Sequence, residues 1–111
     1  MQDGAGKLWF GSRDQGLSRY DPADNAWQVY GTADGLLSDQ VYAMWASPNG
    51  WVWVGTPDGV GIYTGSRWLN YTPADGLASR HVRAIWGDSD GTMWLGTSGG
   101  MSRLQFKKLE R

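Results

Sequence analysis

The middle of the chain alternates short apolar runs with polar turns. Val41 to Ala46, Val52 to Thr56, Val60 to Thr64 and Arg67 to Tyr71 are rich in β-branched, aromatic and aliphatic residues, and Asn49-Gly50, Asp58-Gly59 and Gly65-Ser66 part them. Asn-Gly or Asp-Gly between apolar runs is the strongest short hairpin signal, because glycine reaches the positive φ that tight turns need. The pattern predicts four short strands, a to d in chain order, joined as an antiparallel meander. No stretch carries a helical period with caps.

The meander repeats. Trp9-Phe10-Gly11-Ser12, Trp53-Val54-Gly55-Thr56 and Trp94-Leu95-Gly96-Thr97 are copies of one Trp-x-Gly-Ser/Thr element, spaced 44 and 41 residues apart. Trp27, Tyr30, Asp34-Gly35-Leu36, Ser38, Val41, Ala43 and Trp45 recur 41 residues later as Trp68, Tyr71, Asp75-Gly76-Leu77, Ser79, Val82, Ala84 and Trp86. The extra residues of the first interval fall in the polar segments Ser12 to Gln15 and Asp21 to Asn25, where insertions are tolerated.

A four-stranded antiparallel unit every 40 to 45 residues matches a blade of a β-propeller. The fold class expected is therefore all-β, with about two and a half blades per chain. Strands b, c and d fill an incomplete blade over 3–31, a complete blade covers 41–72, and an incomplete or degenerate last blade covers 82–109. That makes ten strands, with Gln105 to Glu110 offering a degenerate final d strand. A blade has two apolar faces and hides both only when a blade stacks on each side. Trp9, Trp27, Trp45, Trp53, Trp68, Trp86 and Trp94 are accordingly expected to pack between blades. Propellers close with about four to eight blades, so the open ends of this chain predict closure by oligomerisation into a ring. If the last blade borrows strand d from the N-terminus of a neighbour, each copy adds about two blades and its own Lys7 to Tyr20 is redundant; if Gln105 to Glu110 completes that blade instead, each copy supplies three.

The run Trp53-Val54-Gly55-Thr56-Pro57-Asp58-Gly59-Val60, followed by Trp68-Leu69-Asn70-Tyr71-Thr72 and Asp75-Gly76-Leu77, resembles the two-component regulator propeller repeat. Asp90 to Thr97, Gly16 to Pro22 and the Asp-Gly-Leu-x-Ser runs extend the resemblance over nearly the whole chain. The resemblance implies periplasmic or extracellular sensor domains of bacterial signalling proteins, whose propellers bind ligands, often carbohydrate fragments. It implies no reaction.

Composition narrows the function classes. Ten Lys plus Arg stand against eleven Asp plus Glu, a formal charge of −1, so no broad field favours nucleic acid or anionic lipid. With no Cys there is no disulfide and no thiolate metal site. No apolar run reaches the roughly 20 residues that span a bilayer, and Met1-Gln2-Asp3-Gly4 has no signal-peptide character. No cofactor is expected.

Propeller ligand sites lie by analogy at the channel end that carries the d-to-a and b-to-c connections. The d-to-a connections end in Ser38-Asp39-Gln40 and Ser79-Arg80-His81, and the b-to-c loops offer Arg13 and Asp58. Positions that differ between matching repeats are less needed to fold the blade, and Asp39-Gln40 against Arg80-His81 is the sharpest contrast. Asp39, Gln40, Arg80, His81, Arg13 and Asp58 are the candidate ligand residues, suited to a carbohydrate or other small polar molecule. His81 is the sole histidine, so a lyase-like enzyme would rest on it alone and a histidine metal cluster is excluded within one chain. Asp88-Ser89-Asp90-Gly91 resembles the start of a calcium loop but lacks its later ligands and reads as an a-to-b turn. The favoured expectation is a non-enzymatic, self-assembling propeller module for ligand sensing. The alternatives are a purely structural piece of propeller and the enzyme.

Overall fold

A computed structural model describes residues 1–47, 50–75, 77, 79–87 and 92–105. The Asp88-Ser89-Asp90-Gly91 turn and the expected final strand beyond Gln105 lie outside the described residues. The described residues form ten strands in three sheets, all paired antiparallel: three adjacent blades of a β-propeller. Blade 1 is β1 (Leu8–Gly11), β2 (Leu17–Asp21) and β3 (Ala26–Tyr30). Blade 2 is β4 (Ala43–Ala46), β5 (Val52–Thr56), β6 (Gly59–Tyr63) and β7 (Trp68–Tyr71). Blade 3 is β8 (Val82–Gly87), β9 (Thr92–Thr97) and β10 (Gly100–Gln105).

Two local details differ from the sequence expectation. Strand a of blade 2 begins at Ala43 rather than Val41, because the Val41 amide donates to the Ser12 carbonyl of blade 1 instead, 2.8 Å away. Blade 1 also has a stub where no strand a was expected. Gln2 bridges Leu8, the Trp9 amide donates to Met1 O at 2.7 Å, and the Met1 amine donates to Trp9 O at 3.0 Å. Three residues of edge pairing cap the backbone that an open β1 would otherwise expose.

The d-to-a connections are built by the Asp-Gly-Leu motif. Thr32–Asp34 and Pro73–Asp75 each make one 3-10 turn, too short to show a helical period in sequence. Asp34 accepts from the Gly31 amide and Asp75 from the Thr72 amide, both at 2.9 Å, which fixes the entry of each turn. Gly35, at φ +105°, then reverses the chain. Leu36 and Leu77 follow and are buried, each a plug in one seam between blades.

Two apolar clusters hold the blades together. Trp9, Leu17, Tyr30 and Leu36 pack on Val52 and Val54 between blades 1 and 2. Trp53, Val60 and Ile62 pack on Val82, Met93 and Leu95 between blades 2 and 3. The glycine of Trp-x-Gly permits this approach. A Cβ on Gly11 would stand 2.5 Å from Val41 Cγ1, and one on Gly55 would stand 2.6 Å from the Val82 carbonyl oxygen.

Candidate functional site

The hairpin turns between strands b and c meet the d-to-a connections at one end of the blades. Gly16 N donates to Asp39 O at 2.7 Å, and Ser98 N donates to His81 O at 3.2 Å. In blade 2 the residue in the register of Ser98 is Pro57, which has no amide to give. The rim is held by these backbone bonds together with local bonds made by the hydroxyls of Ser12, Ser38, Thr56, Ser79 and Thr97.

The candidate residues separate there by what their side chains do. Arg13, Gln40, Asp58 and Arg80 are exposed, and His81 is half-buried. Asp39 is already engaged, with Oδ1 accepting from the Thr32 amide at 3.0 Å and crowding Gly31. Its role is to brace the connection, whereas Arg80, in the same register one blade later, is exposed. Among the described residues no three His, Cys, Asp or Glu side chains converge to hold a metal.

A second constellation lies in the seam between blades 1 and 2. The Arg19 guanidinium sits 5.6, 5.7 and 6.0 Å from the ring centres of Trp9, Tyr30 and Tyr63, and donates to Gln28 Oε1 at 2.7 Å. Tyr63 in turn packs on Trp68 with centroids 5.2 Å apart. A cation over several ring faces is stabilised by their quadrupoles while keeping a polar partner. Burial, then the Tyr63 hydroxyl 3.4 Å away, hold the Tyr30 phenol protonated well above its ordinary range. At the a-to-b turn of blade 1, Asp3 accepts from Trp9 Nε1 at 2.7 Å and from the amides of Ala5 and Lys7. Burial pushes the Asp3 pKa up, but these bonds outweigh it and leave it lowered.

The tryptophans do not share one environment. Trp9 and Trp53 are buried at the two seams, and Trp45 and Trp68 are partly buried against them. Trp94 is half-buried on the outer face of blade 3, where the Arg103 guanidinium lies 6.0 Å from its ring. Trp27 and Trp86 depart from the packing expected of them, being 62% and 55% exposed. Each stands on a terminal face against which no described strand is stacked. Phe10 and Val29 share the face of Trp27, and Met101 shares that of Trp86.

Neither Arg19 nor Arg103 is among the candidate residues expected from the sequence. Their signal was present, since both stand three residues after the glycine that opens strand c, the register that Ile62 holds in blade 2.

Residues 76–99 match the family model of the two component regulator propeller. No curated protein matches the chain. Among solved structures it is similar to the extracellular domain of the hybrid two component system BT3049 from B. thetaiotaomicron, at 21% identity and a TM-score of 0.84, covering 95% of this chain and 15% of that one. It is also similar to the extracellular domain of BT4673 from the same organism, at 19% identity and a TM-score of 0.75, covering 93% of this chain and 14% of that one. The chain therefore spans less than a fifth of the length of these domains. No helix of the described residues is long and apolar enough to cross a membrane.

Proposed function

We propose that the chain is a non-enzymatic propeller module of the sensor type, whose blades join a ring by self-assembly and whose loop end receives a carbohydrate or other small polar ligand. The observation that carries the reading is the rim at the d-to-a and b-to-c connections. Its backbone is tied together by Gly16 to Asp39 and Ser98 to His81, while Arg13, Gln40, Asp58 and Arg80 stand exposed on it. Exposed donors and acceptors on a rigid rim suit a polyhydroxylated or anionic molecule. Arg80 and His81 are the side chains that would orient it, with Asp39 holding the connection in place.

The similarity to extracellular signalling domains supports a periplasmic or extracellular setting. A screen of oligosaccharides by thermal shift tests the reading. A specific ligand should raise the melting temperature, and Arg80→Ala or His81→Ala should remove the shift without lowering the melting temperature of the free protein. A screen with no hit, or a shift that both variants retain, would refute this placement of the site.

A further inference from the structure

The two open faces are the separated halves of a seam that the molecule already builds once. Within the chain, Trp9 and Arg19 of blade 1 meet the Tyr63–Trp68 pair of blade 2, with Trp9 and Tyr63 centroids 5.8 Å apart. Among the described residues, the outer face of blade 3 repeats the strand b and c part of the first half. Trp94 takes the register of Trp9, Met101 that of Leu17 and Arg103 that of Arg19, with Arg103 and Trp94 cross-strand partners just as Arg19 and Trp9 are. The outer face of blade 1 repeats the second half. Tyr20 and Trp27 occupy the register of Tyr63 and Trp68 and form the same pair, with centroids 4.8 Å apart against 5.2 Å.

The shapes correspond as well. Blade 3 presents an apolar hollow of about 240 Å³ lined by Ala84, Trp86, Trp94, Gly96 and Met101. Blade 1 presents Phe10, 47% exposed, in the register that Val54 and Leu95 hold where they fill the internal seams.

We propose that Trp94, Met101 and Arg103 of one copy seat on Phe10, Tyr20 and Trp27 of a second copy, head to tail, rebuilding between chains the seam that Trp9, Leu17 and Arg19 make inside one. The inference rests on the self-assembly reading above and supplies its surface and polarity. Different patches meet, so the contact is heterologous: it propagates, and a ring closes it. In that seam Arg103 would face the Tyr20 ring as Arg19 faces the Tyr63 ring, 6.0 Å away, inside the chain.

The test exploits that polarity. Trp27→Glu damages one face and Met101→Glu the other, and both side chains are exposed, 62% and 67%, so the fold should survive as judged by circular dichroism. Native mass spectrometry and light scattering are run on the unmodified chain, each variant, and a 1:1 mixture of the two. The unmodified chain should form concentration-dependent multimers and each variant alone should be monomeric. The mixture should give a one-to-one pair that grows no further, since each variant keeps one intact face. A monomeric unmodified chain would overturn both the seam and self-assembly. Multimers that persist in either variant, or a mixture that stays monomeric, would overturn the seam while leaving self-assembly to another surface. Should a variant fail to fold, Val29→Glu and Trp86→Glu, on the same two faces, replace it.

Discussion

Asp3 and Trp9 show how one turn residue can serve a seam. The carboxylate takes the indole N–H of a fully buried tryptophan together with two backbone amides, so the a-to-b turn and the blade interface are fastened at one point. Because the folded-state pKa is lowered, this contribution is complete above the unfolded pKa, about 4, and is lost as pH falls through the folded value. Asp3→Asn should therefore melt lower than the unmodified chain at pH 7, with the difference shrinking as pH falls below about 4. Paired melts across that range check it, and a pH-independent difference would contradict the role. The glycine of Trp-x-Gly makes a second demand at this scale. A methyl group at Gly55 meets the backbone of Val82 rather than a flexible side chain. Gly55→Ala should cost about 1–3 kcal/mol in urea unfolding, whereas Gly4→Ala, with open space around it, should change little.

At the scale of elements, the strands were legible and the joints between them were not. Val52 to Thr56 announced itself because both its faces are buried, giving a continuous apolar run between turn signals. The stub of blade 1 carries no such pattern, since Met1-Gln2-Asp3 is ordered by backbone bonds to Trp9 and by one carboxylate. The repeated Asp-Gly-Leu was visible as a motif, but its physics was not: the aspartate caps a 3-10 turn and the leucine drops into a seam. The loop-end residues could be placed by register, yet only the structure separates Asp39, spent on the Thr32 amide, from the exposed Arg80. The plug role is measurable. Leu36→Ala and Leu77→Ala should each cost about 2–5 kcal/mol, the usual range for a buried leucine. They act on different seams, so the double variant should be close to additive in denaturant unfolding.

Across the whole molecule, burial is graded from the middle blade outward. Every residue of β5 and nearly all of β6 are buried, whereas β3 is exposed at four of its five positions and β8 is buried only at Val82. In a stacked array each unit is stabilised by its neighbours, so a blade with one neighbour opens at lower free energy than a blade with two. Hydrogen exchange on dilute protein should therefore protect the amides of Val52–Thr56 and Gly59–Tyr63 most, with β3 and β8 exchanging sooner. Under the proposed seam, raising the concentration adds neighbours to the terminal blades and none to the middle one. Protection should then rise in Ala26–Tyr30 and Val82–Gly87 while β5 and β6 change least, because their faces are covered in every state. Uniform slowing across all ten strands, or none, would mean that the terminal faces are not what association covers.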